Sequence, residues 1–256
     1  MTARLPIEVA QVPLETILVM REEYRREMDC QIVHDSWHSR GFTNSYLLRA
    51  HGQIVGYGSV GGAPRDAKDI LKEFFVLPRF RPDALPLFRQ LVAVSGARRV
   101  EAQTNDVLLL LMLNDCAVAS SSETILFADG ATTTLSAPAP GVALRYLTEA
   151  DRARVFPHTL EPVGEWGFEA NGEIVATGGL LFHYNPPYGD IYLEVAPAYR
   201  RMGFGSYLVQ ELKQLCYEMG CIPGARCNQA NVGSRLALER AGMFPCARVV
   251  RGELAT

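Results

Sequence analysis

The stretch I-Y-L-E-V-A-P-A-Y-R-R-M-G-F-G-S-Y, from Ile191 to Tyr207, reads as a strand, a tight turn and the start of a helix. Ile191, Leu193 and Val195 alternate with Tyr192 and Glu194, the period of a strand with two unlike faces. Pro197 ends the strand, because it has no N–H to give to a ladder. Gly203 and Gly205 follow, where the backbone must turn and lie bare. From Ser206 the period lengthens: Leu208, Leu212, Leu215 and Met219 fall on one face of a predicted helix, and Gly220 suits its stop. The chemistry of such a turn is anion binding. A helix start has free N–H groups and the positive end of the macrodipole. Glycines remove the Cβ atoms that would hold a phosphate away from those amides, and Arg200 and Arg201 add charge beside them. A diphosphate suits this turn.

Three kinds of glycine turn handle phosphates in this way. A P-loop needs a Gly-Lys-Ser/Thr run, which is absent. A dinucleotide fingerprint needs a third glycine at 208, where the chain has Leu208. The third pattern, V-x-P-x-[YF]-R-x-x-G-x-G-S, is matched throughout from Val195 to Ser206. It resembles the pyrophosphate loop of the GNAT superfamily, the acyl-CoA-dependent N-acyltransferases. The resemblance implies that Arg200, Arg201, Met202, Gly203, Phe204, Gly205 and Ser206 hold acetyl-CoA as co-substrate. It also implies that Val195 offers backbone hydrogen bonds to the pantetheine arm. A second segment, C-N-Q-A-N-V-G-S-R-L-A-L-E-R-A-G-M-F from Cys227 to Phe244, is similar to the family's other coenzyme element. By that likeness Asn228, Asn231 and Ser234 contact the coenzyme or order its site. Asn231 is also a good N-cap in its own right.

Composition narrows the partners. The chain has 256 residues and a net charge of −3, which speaks against nucleic acid as a partner, since a phosphate backbone asks for a basic surface. The longest apolar run, Val107 to Leu113, is far short of the ~20 residues of a membrane helix. The opening M-T-A-R-L-P-I-E-V lacks the apolar stretch of a secretory signal. Six cysteines without a CxxC pair read as reduced thiols of a cytoplasmic protein.

The chain also repeats itself. H-G-Q-I-V-G-Y-G-S at 51–59 matches N-G-E-I-V-A-T-G-G at 171–179, and E-F-F-V-L-P-R-F-R at 73–81 matches Y-L-E-V-A-P-A-Y-R at 192–200. His51 and Asn171 are 120 residues apart and Pro78 and Pro197 are 119 apart, so the register is almost constant. Two tandem copies of one α/β fold with mixed sheets are expected, a degenerate copy at 1–135 and a coenzyme-binding copy at 136–256. In the first copy Ala84 and Pro86 stand where Gly203 and Gly205 stand in the second, and Pro82 and Pro86 offer no N–H to a phosphate. That copy is expected to support the fold and shape the acceptor site. Asp129 to Gly141, rich in small residues and proline, reads as a linker or exposed crossing. Val142 to Leu147 is expected as the opening strand of the second copy.

By the resemblance, the reaction is acetyl transfer to a primary amine of a small molecule or peptide by direct attack. An ammonium, with a pKa of about 10, must first lose a proton, and Glu194 is the expected base by its place on the strand. Many family members use a tyrosine on the last helix as general acid; here that position is Leu238, and Tyr184, with Tyr188 or His183, is the substitute. His34 and His38 are spaced i, i+4 but lack further ligands at helpful spacing, so no metal is expected. Trp37, His38 and Arg40 read either as acceptor contacts or as a surface loop. A non-catalytic acyl-CoA-binding module is the alternative, favoured by Leu238 and by the degenerate first copy.

Overall fold

The computed structural model of the chain describes residues 7–28, 31–32, 34–62, 67–182 and 186–255. It divides into two compact units, Met1–Glu123 with Arg248–Thr256, and Thr124–Ala247. The junction expected between 135 and 136 falls inside the second unit.

The first unit contains β1 (Glu8–Val12), α1 (Leu18–Glu27), α2 (Asp35–Ser39), β2 (Thr43–Ala50), β3 (Gln53–Gly61), β4 (Ile70–Val76), α3 (Ala84–Ser95), β5 (Arg99–Gln103), α4 (Val107–Cys116) and the opening of β6 (Ala117–Asp129). β1 to β4 form an antiparallel meander, and β5 adds parallel to β4. The last residues of the chain close this unit: Val249 to Glu253 run antiparallel to β5, and Leu254 joins its core. The aromatic interior of this unit includes Tyr24, Tyr57, Phe74, Phe75 and Phe88. Within it Glu73 is held by Arg21 at 2.7 and 2.9 Å and by the Tyr57 hydroxyl at 3.1 Å.

The second unit takes the close of β6, then β7 (Arg145–Tyr146), α5 (Glu149–Arg152), β8 (Trp166–Ala170), β9 (Glu173–Leu181), β10 (Tyr188–Val195), α6 (Phe204–Glu218), β11 (Ile222–Asn228), α7 (Val232–Arg240) and the opening of β12 (Met243–Leu254). Its strand order is β6-β11-β10-β9-β8-β7, with β10 and β11 parallel and the other pairs antiparallel. α6 buries Phe204, Leu208, Val209, Leu212 and Cys216; of the predicted face Leu208 and Leu212 are buried, Leu215 is half-buried, and Met219 lies beyond the helix end and is exposed. The strand expected over 142–147 is only two residues long; Val142 and Leu147 are buried instead as core side chains.

The repeat is visible in the backbone. The β2–β3 turn has His51 and Gly52 at φ 52° and 73°, and the β8–β9 turn has Asn171 and Gly172 at φ 52° and 78°. Both are two-residue hairpin turns with two left-handed residues, the kind that matches strand twist.

The stretch after Asp129 is not a loose linker. Lys213 of α6, 2% exposed, donates to the carbonyls of Ala131 and Ala241 at 2.6 and 2.9 Å and pairs with Asp129 at 2.8 Å. Gln210, one turn earlier, accepts from Leu135 N–H and Thr133 Oγ1 and donates to Leu135 C=O. Small residues suit this segment because α6 grips its backbone, so it belongs to the second unit.

Truncation after Ala247 removes the strand beside β5 and the core residue Leu254. At about 0.5–1.5 kcal/mol per ladder hydrogen bond, the first unit is expected to open, with new cleavage sites in limited proteolysis falling within residues 1–123. An unchanged cleavage pattern would show that the chain end is dispensable.

Candidate active site

β10 leaves one of its neighbours part-way. It pairs with β9 from Asp190 to Val195, but with β11 only from Tyr188 to Ile191, opposite Ile222 to Ala225. Both strands continue, β10 to Val195 and β11 to Asn228, where β11 stays paired with β6. The parallel strands therefore part beyond Ile191 and Ala225. Ala196 N–H is spent on Val175 C=O. Since backbone groups alternate in direction along a strand, those of Leu193 and Val195 face the gap.

At the open end of β10 the chain makes a short turn and starts α6. Arg201 has φ 64° and Gly203 φ 93°. Gly203 is the N-cap residue and no side chain caps this end; Ser206 Oγ bonds back to Gly203 C=O at 3.0 Å. The amides of the first helical turn thus point outward with the dipole's positive end behind them. The nearest atoms that a Cβ at Gly205 would meet belong to Ala237, Val195 and Leu193, at 3.5–3.8 Å, which is ordinary contact. Nothing in the protein's own packing demands glycine there, but a bare backbone leaves room at the mouth of the gap. Arg200 is half exposed, and its Nε donates to Val195 C=O at 3.0 Å. Arg81 Nε reaches Val76 C=O at 3.3 Å in the same way, so this arginine is also a strand-end staple in both copies. Arg201 and Met202 are exposed at the same turn, and Phe204 is buried beneath it.

Asn228, Asn231 and Ser234 come together at the start of α7. Asn228 Oδ1 accepts from Ala230 N–H at 2.8 Å, and Asn231 Oδ1 caps the helix through Ser234 N–H at 3.1 Å. These contacts order the turn beside the gap.

Glu194 lies on the strand face expected for a base, but its carboxylate is already taken. Its oxygens accept from the N–H groups of Thr159, Leu160 and Glu161, each at 3.2 Å, and from Thr159 Oγ1 at 3.1 Å. His158 Nδ1 stands 3.5 Å away and Arg200 3.8 Å away. Burial alone raises the Glu194 carboxyl, but the N–H groups of Glu161, Leu160 and Thr159 outweigh it and hold the group below its ordinary 4.5. A carboxylate this well solvated by amides is a weak base. In this arrangement the Glu194 carboxylate anchors the loop over 158–161.

Two other acids on this side behave oppositely. Asp190, four residues back on the same face of β10, pairs with Arg226 of β11 at 3.2 Å. Burial pushes its carboxyl up to about 6, against the pull of Arg226 and with help from Glu161. Glu161 is itself raised, first by burial. Between Asp190 and Glu194 lies Tyr192, whose ring rests on Gly179. Tyr184 and His183 lie outside the described residues, and Leu238 is buried in the core, 1% exposed.

Of the remaining sequence candidates, all in the first unit, His34 and His38 are buried, Trp37 is half-buried and Arg40 is exposed. His38 binds Thr43 through Nδ1 at 2.7 Å and faces Glu73 at 3.4 Å. Burial, with Lys72 nearby, lowers the His34 pKa to about 4. Trp37 lies under the Lys72 ammonium at 4.3 Å. Trp37, half-buried, and His38, buried, thus pack against their own unit. Among the described residues no group of three His, Cys, Asp or Glu is placed to hold a metal.

The first copy has the same parting of strands and fills it. β4 and β5 pair only at Ile70–Arg99 and Leu71–Val100. Next along, Lys72 and Glu101 close the space with an ion pair at 2.7 Å, and the Gln103 amide bridges both backbone groups of Ile32. Its helix α3 starts at Asp83 rather than at a glycine, an acid where a phosphate would need a donor.

Residues 134–243 match the model of the acetyltransferase (GNAT) family. No curated protein sequence matches the chain. Among solved structures, an acetyltransferase of the GNAT family from Colwellia psychrerythraea is similar with a TM-score of 0.74 at 14% identity, over 97% of this chain and 100% of that one. A GCN5-related N-acetyltransferase from Sphaerobacter thermophilus is similar with a TM-score of 0.61 at 18% identity, over 98% of each chain. A tandem GNAT protein from the clavulanic acid biosynthesis pathway is similar with a TM-score of 0.62 at 10% identity, over 98% of this chain and 99% of that one. The likeness to these structures is one of fold, and it extends over both units.

Because the folded Glu194 value lies below 4.5, its hold on the loop is complete at neutral pH and is lost only as pH falls below 4.5 through that lower value. In Glu194→Gln, hydrogen-exchange protection of the Thr159–Glu161 amides at pH 7 is expected to fall about tenfold or more, as for loss of bonds to a charged acceptor. Wild-type protection is expected to stay level from pH 8 to 6. Equal protection in the variant would show that other contacts hold the loop.

Proposed function

From the match of residues 134–243 to the acetyltransferase (GNAT) family, we propose that the chain transfers an acetyl group from acetyl-CoA to a primary amine of a small molecule or peptide. The observation that carries this reading is the gap between β10 and β11 opening beside an uncapped helix start. On this reading the amides of Phe204, Gly205 and Ser206, with Arg200 and Arg201, hold the coenzyme's diphosphate, and Met202 and Gly203 shape the turn. Val195 offers its N–H to the pantetheine arm, and Asn228, Asn231 and Ser234 keep the α7 side in register. The coenzyme supplies the activated thioester; the chain binds it, orients it and manages the amine's proton. Glu194 serves as a positioning residue for the loop above β10. Tyr184 remains the candidate to protonate the leaving thiolate. The duplicated sequence, 1–135 and 136–256, divides the labour: the first copy, its gap closed by Lys72–Glu101, is scaffold. The scattered cysteines, free at every described position, suit the cytoplasm.

A non-catalytic acyl-CoA-binding module is the second reading, favoured by the burial of Leu238 where many relatives place an acid. Thiol release from acetyl-CoA that depends on added amine separates the two.

Calorimetric titration with acetyl-CoA tests the shared premise. A valine at Gly205 enters ordinary contact with its neighbours and fills the mouth of the gap. Gly205→Val is expected to keep the wild-type fold by circular dichroism and to weaken acetyl-CoA at least tenfold, about 1.4 kcal/mol. Folded wild type that binds no acetyl-CoA would sink the reading.

A further inference from the structure

Resting on the acyl-transfer reading, we propose that Asp190, at the vertex where β10 and β11 part, is the catalytic base that takes the proton from the acceptor amine.

The placement is the first argument. Asp190 is opposite Gly224 in the parallel ladder, and the ladder ends one residue later at Ile191 and Ala225. Its side chain is on the face of β10 that carries Tyr192 and Glu194, opposite to the face whose Gly189 abuts Cys216 of α6. It is 14% exposed, so an acceptor can reach it, while Glu194 is 5% exposed behind its loop. Availability is the second argument. The Glu194 oxygens accept four donors from residues 159–161, whereas Asp190 has a lateral ion pair with Arg226 at 3.2 Å. The charged groups acting on Asp190 from neighbouring elements are Arg226 of β11 and Glu161 of the loop before β8. Burial and Glu161 raise it and Arg226 opposes them, leaving a carboxyl at about 6. A base in that range is ionised at neutral pH yet holds a proton better than an ordinary aspartate.

The step balances simply. The acceptor ammonium gives one proton to the Asp190 carboxylate. The freed nitrogen lone pair forms the C–N bond as the C–S bond breaks, and the sulfur leaves with that bond's electron pair. The second nitrogen proton ends on the sulfur, giving an amide, a free thiol and a protonated Asp190, which returns its proton to solvent.

The test uses the full chain, acetyl-CoA as donor, and tyramine, spermidine and a lysine-containing tripeptide as amine probes. In coenzyme-free protein the Asp190 carboxyl carbon, assigned as the ¹³C resonance missing in Asp190→Asn, is expected to titrate near 6. With the amine that turns over, kcat/KM is expected to rise with pH through the same value, and kcat to show the corresponding limb of the bound complex. Asp190→Asn is expected to lose that limb and about 10²-fold or more in kcat, with acetyl-CoA affinity by calorimetry unchanged. Asp190→Glu is expected to restore part of the rate, which also guards against misfolding of the amide variant. Arg226→Gln removes the charge that lowers Asp190, so both the resonance and the kinetic limb are expected to move to higher pH together. A resonance titrating near 4, or wild-type kcat with the limb intact in Asp190→Asn, would overturn the assignment while leaving acetyl transfer standing. Acetyl-CoA binding with no amine acetylated by wild type would bring down the acyl-transfer reading and this base with it.

Discussion

The constraint on which the second unit depends is that β10 stays with β9 to its end but leaves β11 after Ile191. A buried sheet does not leave backbone groups unpaired without a use for them. Here the unpaired edge ends at a turn that also leaves helix amides free, so two sets of donors converge on one opening. Gly203 makes the convergence possible, because φ 93° lets the chain enter α6 without a capping side chain in the way. α6 is fixed in turn by its apolar face and by Lys213, a buried ammonium matched to two carbonyls and a carboxylate. Removing any one acceptor would leave a buried charge short of a partner, a cost of several kcal/mol. The mouth of the gap is therefore built on a helix anchored by its buried face and by Lys213.

The two copies show what that opening requires. They share the left-handed hairpin turn, the parallel strand pair that parts early, and the arginine stapled to the end of its strand. These features serve the sheet, and both copies keep them. They differ in what lies at the parting. One has glycine and bare amides. The other has Asp83 at the helix start, prolines without N–H groups at 82 and 86, and an ion pair across the strands. A parted strand pair thus remains stable whether it is left open or filled, and the filling decides whether a phosphate can be received.

The sequence made the local part of this legible. Period-2 residues up to Val195, Pro197, two glycines and a 3.6-residue face need only neighbours a few positions apart, and they predicted β10, the turn and α6. The hairpins were equally local, fixed by His51-Gly52 and Asn171-Gly172. What escaped was non-local. Nothing in the residues around Glu194 announces that the amides of 159–161 fold onto it, a contact across some 35 positions. The role of Lys213 was hidden by its polarity, since a lysine on a helix reads as solvated until its acceptors at 131 and 241 are in place. Arg248 to Thr256 belong to the first unit because of a ladder with β5, about 150 positions away. The burial of His34 and His38 was equally hidden, since neither residue has a local signal for it.

Asp190 and Glu194 share a face of one strand and are chemically alike, yet their environments drive them apart. Both have lost water, and burial alone would make each of them harder to ionise. The comparison is decided instead by donors. Three backbone amides replace the water that Glu194 has lost, and they favour the charged form enough to reverse the sign of the shift. Asp190 has lost water as well, but a lateral arginine does not make up the loss while Glu161 stands near. Pairs of carboxyls pushed in opposite directions tend to divide structural or electrostatic work from proton transfer. Here the division follows the chain's own economy of amides. The loop that would otherwise leave its N–H groups unpaired spends them on Glu194, and the carboxyl it does not reach is the one left able to move a proton.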